Sequence, residues 1–288
     1  MKFTTFLHHG RARLGVVDGD QLIDLQTAQP QVPSDLRAAL AAGVDLAAAA
    51  KAAIASTAPR LPLAGQQLAP LVPEPGKIIC LGLNYFDHAK EGGRAKPEYP
   101  WFFFRGATSL VAHGAPGILP KVSGKFDYEA ELALVIGRRV PRHVSQEDAP
   151  GYVFGYTCFN DMSVRDYQKR TPQWTIGKNF DGTGGFGPVL VTADELPPAA
   201  AGLKIQGRLN GEVMQSANTT DMIWGVAETI ALLSEVLTLE PGDVIVMGTP
   251  AGVGQARTPP VWMKDGDTIE VEIERIGTLV NPIVAEKA

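Results

Sequence analysis

The sequence has little cysteine, no dense cationic run and no long uninterrupted apolar stretch. Its two cysteines, Cys80 and Cys158, are too few for a disulfide scaffold. Both lie in apolar, strand-like surroundings, which reads as reduced core thiols of a cytoplasmic protein. Lys and Arg number 26 against 31 Asp and Glu, a net charge of −5, which argues against nucleic acid as the main partner. The Ala-rich stretch Ala38 to Ala55 is too short to span a bilayer and is interrupted by Asp45 and Lys51, so it reads as a soluble helix and no membrane partner is expected. The N-terminus, Met1-Lys2-Phe3-Thr4-Thr5-Phe6, has no extended apolar core or small-residue cleavage site, and no signal peptide is expected. What is present, 45% hydrophobic and 20% charged residues over 288 positions, is enough for a sizeable packed core.

Residues 1–72 read as a small N-terminal α+β domain and residues 73–288 as a larger, strand-rich one. Arg13 to Leu25 holds two strand-like runs around Asp18-Gly19, a hairpin signal. Ser34 and Asp35 offer caps for a helix, and the Ala-rich stretch suits a second. A proline-bearing linker, Leu61 to Lys77, follows. Beyond it the pattern is mainly short strands, at Ile78 to Leu81, Leu132 to Ile136, Val153 to Phe159, Val189 to Val191, Leu203 to Leu209, Val244 to Met247 and Ile269 to Ile273. Asn210-Gly211 and Asp265-Gly266 mark turns between them, and one helix is predicted over Met222 to Leu237, capped by Thr220 or Asp221. Without regular strand–helix alternation the fold class is α+β, strand-rich.

Two glycine-rich segments mimic phosphate-binding loops. Gly182-Thr183-Gly184-Gly185-Phe186-Gly187 satisfies G-x-G-x-x-G, but a strand-like run follows where the dinucleotide motif requires a helix, so it reads as a loop. Gly248 to Gly254 lacks the lysine of a P-loop.

The chemistry concentrates in acidic residues. Glu129 and Glu131 are two positions apart in a strand-like run and project from the same face. Asp161 ends a neighbouring apolar run. Two like charges on a buried strand need a neutralising partner, and a hard divalent cation with oxygen ligands is the simplest one. The same Glu-x-Glu pair would equally suit the solvated face of an edge strand. His88 and Glu91, spaced i, i+3, share a face of a helical turn, where the carboxylate can orient the imidazole as a general base. A solvent-exposed pair in a loop is the plain alternative. Arg165 and Gln168 follow Asp161 at spacings that stack on one side of a helix, and with Lys178 they supply donors for an anionic, oxygen-rich ligand. Trp101, Trp174 and Trp262 are candidates for shaping a pocket, or for core.

Taken together, these segments resemble the fumarylacetoacetate hydrolase family over about residues 76 to 284. The matching pieces are Gly82-x-Asn84-Tyr85-x-x-His88-x-x-Glu91, Asp127-Tyr128-Glu129-Ala130-Glu131-Leu132 and Asn160-Asp161-Met162-x-x-Arg165-Asp166-x-Gln168. Gly177-Lys178-Asn179-Phe180-Asp181, the run Pro241 to Gly254, and Gly277-Thr278-Leu279-x-Asn281-Pro282 complete the set in the family's order. The resemblance implies a strand-rich mixed β-roll, a homodimer, and Mg2+ or Mn2+ held by Glu129, Glu131 and Asp161. It implies a water-activating lid dyad of His88 and Glu91, an active-site cation at Lys178, and substrate contacts from Arg165, Gln168 and Thr249. One departure stands out: many members carry Phe-x-Lys-Pro-x-x-Ser, whereas this chain reads Phe103-Phe104-Arg105-Gly106-Ala107-Thr108-Ser109, which puts substrate contacts there in doubt.

The implied activity is hydrolysis of a carbon–carbon bond in a β-diketo acid of acylpyruvate or fumarylpyruvate type, through a stabilised enolate. Oxaloacetate decarboxylation, or isomerisation or hydration of a related oxo acid, would use the same enolate chemistry without that cleavage.

Overall fold

The alternating apolar runs of the sequence assemble mainly into two sheets. The computed structural model describes residues 1–93 and 95–287. The larger sheet runs, edge to edge, through Arg60–Pro62, Gln21–Asp24, Arg11–Asp18, Lys2–His8, Gly184–Thr192, Val153–Asp161, Ala130–Ile136, Val244–Val246, Ile78–Gly82 and Trp101–Arg105. Its pairings are mostly antiparallel, but Val244–Val246 runs parallel to Ile78–Gly82, so the sheet is mixed. Strands from residues 1–72 join it directly, Lys2 facing Val191 and Phe3 facing Leu190. A second sheet orders Glu212–Asn218, Lys204–Leu209, Thr268–Ile273, Gly277–Ala285 and Gly117–Leu119. The two share one core, in which Leu132, Leu134 and Cys158 meet Ile205, Val271, Ile273 and Leu279. The fold is α+β and strand-rich.

Local signals account for most elements. Gly19, at φ +62°, turns the chain between Arg11–Asp18 and Gln21–Asp24, as its position after Asp18 requires. Asp35 and Asp45 cap helices Leu36–Ala41 and Leu46–Ala55 by accepting from the N–H groups of Ala38 and Ala48. The 182–187 motif differs from the loop expected of it, because the strand Gly184–Thr192 takes up its last four residues. Those glycines make room for other side chains: a Cβ at Gly185 would sit 2.6 Å from the Asn281 amide oxygen, and one at Gly184 3.0 Å from the Arg105 guanidinium.

The helix expected over Met222 to Leu237 is shorter, at Val226–Val236. Asn84 is the reason. Its backbone carbonyl accepts from Ile223 N–H at 2.7 Å, and its Oδ1 accepts from Trp224 N–H at 2.8 Å. Its Nδ2 donates to the carbonyls of Trp224 (3.0 Å) and Met247 (2.7 Å), so residues 222–224 are held extended beside Tyr85. Asn84→Ala leaves three backbone groups unpaired at a position with 0% exposure. Urea unfolding should show a loss of about 3 kcal/mol. Stability within about 0.5 kcal/mol of the parent would show that the clamp is dispensable.

Candidate active site

The acidic trio forms where two central strands end. In the antiparallel pair Ala130–Ile136 and Val153–Asp161, Ala130 faces Asn160 and Glu131 faces Phe159. Asp161 N–H donates to the Glu129 carbonyl at 3.0 Å, which brings Glu129 and Asp161 opposite each other. Opposed residues share a face, and so do residues two apart, so all three carboxylates project together. This strand lies inside the sheet and all three side chains are buried, unlike the solvated edge face open to Glu-x-Glu from sequence alone. One oxygen from each of the three lies within 4.8 Å of the others.

Cations neutralise part of this charge. Lys178 Nζ lies 2.7 Å from Glu129 Oε2 and 2.7 Å from Asp161 Oδ2. Arg165 Nη1 lies 2.6 Å from Glu129 Oε1, and its Nε donates to Asp127 Oδ2 at 2.8 Å. Glu131 accepts the Gly248 N–H at 2.6 Å. Burial alone would push Glu129 up, but Lys178 and Arg165 overcome it and hold that carboxyl well below the usual range. Glu131 goes the other way: burial, then the charges of Asp161 and Glu129, push it well above the ordinary value despite Lys178 and the Gly248 N–H. Burial would lower Lys178, yet Asp161 and Glu129 raise it, so Lys178 is a fixed ammonium rather than a proton acceptor. Three buried carboxylates, one of them left without a side-chain cation and resisting ionisation, form an all-oxygen donor set that fits a hard divalent cation.

A cavity of about 660 Å³ opens onto this cluster. Its wall includes His88, Glu91, Glu129, Glu131, Arg165, Gln168, Lys178 and Thr249, eight of the nine residues singled out from the sequence. Asp161 lies just behind the wall, at 0% exposure. His88 and Glu91 share the helical turn Phe86–Glu91, with His88 Nδ1 at 3.5 Å from Glu91 Oε2. Glu91 is itself anchored: both its carboxylate oxygens accept from Gly252 N–H, at 3.0 and 3.1 Å. Arg165 and Gln168 belong to the short helix Arg165–Gln168, but Asp161 ends a strand, so the three do not stack along one helix. Arg165 Nη1 donates to Gln168 Oε1 at 3.0 Å, while the buried Arg165 Nη2 has no hydrogen-bond partner among the described residues. The Thr249 hydroxyl donates to the Ala130 carbonyl (3.0 Å) and accepts from Gln215 Nε2 (2.8 Å). Trp101 and Trp174 stack at the mouth with ring centroids 5.2 Å apart; Trp262 is not on the wall.

Arg105 answers the question raised by its departure from lysine. It is 4% exposed and absent from the cavity wall. Its Nη1 donates to Asp161, its Nη2 to Thr183 Oγ1 at 2.9 Å and its Nε to Ser109 Oγ at 3.3 Å. It therefore holds Asp161 from behind. Asp127, unlike Arg105, does not stand out in the sequence, although it belongs to the same acidic motif. Its carboxylate accepts from Arg165 and from the N–H groups of Tyr128, Gly254 and Gln255, tying the Arg165 helix to the 252–256 loop.

A family model for the fumarylacetoacetate hydrolase C-terminal domain matches residues 77–284. The chain belongs to the fumarylacetoacetate hydrolase family. It is 39% identical over 303 aligned residues to oxaloacetate tautomerase YisK of Bacillus subtilis, covering 98% of this chain and 100% of that protein. Among solved structures, the fumarylacetoacetate hydrolase of Exiguobacterium antarcticum superposes with a TM-score of 0.85 at 38% identity, over 99% of this chain and 100% of that one. Maleylpyruvate hydrolase of Sphingobium sp. SYK-6, in complex with manganese(II) and pyruvate, gives a TM-score of 0.82 at 32% identity over 100% of both chains. The fumarylacetoacetate hydrolase fold is thus shared along the whole chain, while these family members differ in the reaction they are named for.

Proposed function

We propose that this family member is a metal-dependent enzyme that interconverts the keto and enol forms of a 2-oxo acid, with oxaloacetate as substrate. The observation that carries the reading is the meeting, on one cavity wall, of the His88–Glu91 dyad, the Lys178 ammonium and the unpartnered Nη2 of Arg165. The full-length relation to oxaloacetate tautomerase YisK supports the choice of substrate. Mg2+ or Mn2+, held by Glu129, Glu131 and Asp161, would draw electron density onto the 2-oxo oxygen. Arg165 Nη2 and the Gln168 amide bind the adjoining carboxylate, and Thr249 borders it. With Nδ1 turned toward Glu91, His88 presents Nε2 as the base. It removes a proton from C3, and the released pair forms the C2–C3 double bond as negative charge passes to the oxygen on C2. Lys178 stabilises that charge without giving up its own proton. Return of the proton from His88 to the oxygen completes the enol, and no water is consumed.

Hydrolysis of an acylpyruvate is the second reading, favoured by the likeness to a maleylpyruvate hydrolase that holds manganese and pyruvate. There His88 would deprotonate water instead of C3. Enol oxaloacetate, followed by the decay of its ultraviolet absorbance with Mg2+ and with chelator, separates the two. Accelerated decay without release of pyruvate or carbon dioxide is expected. An uncatalysed rate, together with pyruvate release from an acylpyruvate, would replace the first reading with the second. The homodimer and the cytoplasmic setting belong to the same proposal, as does the division at 72/73, which cuts across the larger sheet; sedimentation analysis checks the dimer.

A further inference from the structure

The mouth of the cavity carries a cation that the chemistry above leaves unused. The chain leaves the buried site at Gln168 and passes Lys169, Arg170, Thr171 and Pro172, all on the cavity wall. Arg165 and Gln168 are buried, whereas Lys169 and Arg170 are exposed. Their backbones are fixed: Lys169 N–H donates to the Arg165 carbonyl and Arg170 N–H to the Tyr167 carbonyl, both at 3.2 Å. The Arg170 guanidinium lies 3.6 Å from the centroid of the Tyr167 ring, which in turn meets the Phe180 ring edge-on. Stacking of this kind orients the guanidinium plane and leaves its in-plane N–H groups for an acceptor. No described carboxylate on the wall supplies one. Glu91 is bonded to Gly252 N–H, Glu129 to Lys178 and Arg165, and Glu131 to Gly248 N–H.

Charge balance gives this arginine a task. Counted with every carboxyl ionised, as an all-oxygen cation site requires, the buried cluster sets four carboxylates (Asp127, Glu129, Glu131, Asp161) against three cations (Arg105, Arg165, Lys178), one negative charge in excess. A bound divalent ion turns that into one positive charge in excess, which a single ligand carboxylate balances. A second carboxylate on the same ligand finds no uncommitted cation among the described residues of the buried cluster, where Arg105, Arg165 and Lys178 are all paired. We infer that Arg170 is a specificity-determining residue that binds the distal carboxylate of a dicarboxylic substrate, an inference that rests on reading the cavity as a 2-oxo acid site. A bidentate guanidinium–carboxylate pair at a half-open mouth is expected to favour the dicarboxylate about tenfold.

Calorimetric titration of the Mg2+-loaded protein tests this without turnover. The probes are 3,3-difluoro-oxaloacetate, which has no C3 hydrogen to lose, and its C4 methyl ester, which lacks only the distal charge. The parent protein should bind the diacid about tenfold more tightly than the ester. Arg170→Gln should erase that preference while leaving the ester's affinity unchanged, and Arg170→Lys should keep part of it. Equal binding of both probes by the parent, or an undiminished preference in Arg170→Gln, overturns the assignment. If neither probe binds the parent, the 2-oxo acid reading itself fails, and the assignment with it.

Discussion

Lys178→Met should cost about 3–5 kcal/mol of folding stability in chelator and lower turnover by about 10²–10³-fold with metal present. Lys178 is 2% exposed and bridges Glu129 and Asp161 at 2.7 Å each. Methionine keeps much of the volume and removes the charge. Each carboxylate retains one cation, Arg165 for Glu129 and Arg105 for Asp161, so the cluster is weakened rather than emptied. Burial, which already opposes ionisation at Glu129, would then be met by one positive charge fewer. Metal distinguishes this electrostatic account from simple loss of packing. A divalent ion bound by the trio supplies positive charge where the ammonium stood, so saturating Mn2+ should recover a substantial part of the lost stability. On the proposed mechanism it should not recover turnover, because the donor assigned to the developing enolate is still missing. Denaturant titrations in chelator and in Mn2+ give both numbers. A variant as stable as the parent in chelator would show that Lys178 does not neutralise the cluster.

How far the sequence reveals this site depends on how far apart its parts lie along the chain. Glu129 and Glu131 are legible because strand periodicity is local, and so is the His88–Glu91 pair on one helical turn. Their partners are not local. Gly248 N–H reaches Glu131 across 117 positions, and Gly252 N–H reaches Glu91 across 161. Those contacts follow from the registers of Val244–Val246 between Ala130–Ile136 and Ile78–Gly82, which no short window contains. Asp127, and the hold of Arg105 on Asp161, escape notice for a related reason. A lone acid before a Glu pair looks ordinary, and an arginine in place of a lysine reads only as a change of substrate contact, until the fold sets one against Arg165 and the other against Asp161. The late start of the Val226–Val236 helix is the same effect in backbone form, since a single buried asparagine 140 positions away holds residue 224 out of it. Periodicity revealed the elements, and the family resemblance gathered the site, but the neutralising network had to be seen.

His88→Ala should reduce turnover by about 10³-fold and leave both the thermal midpoint and Mn2+ affinity close to those of the parent. The imidazole is half-buried at the cavity wall and takes no part in the salt bridges of the acidic cluster. Its Nδ1 makes no regular hydrogen bond, so little folding energy depends on it. That Nδ1 faces Glu91 Oε2 at 3.5 Å, and Glu91 takes its own position from Gly252 N–H. Gly252 is at φ +102°, where a Cβ would lie 2.1 Å from the Met214 carbonyl oxygen, so the anchor admits no side chain. Glu91→Gln keeps an acceptor for that N–H and removes the charge behind the imidazole; a loss of about tenfold is expected, well short of His88→Ala. Deuterium uptake at C3 of oxaloacetate in heavy water isolates the step at issue, because it registers proton removal whatever bond changes follow. The parent protein should exchange C3 rapidly and His88→Ala should not. Rapid exchange in both would move the base elsewhere on the cavity wall and leave His88 the role of activating water, which is the hydrolytic reading. Slow exchange in the parent, with cleavage of an acylpyruvate intact, would lead to that same reading by the other route.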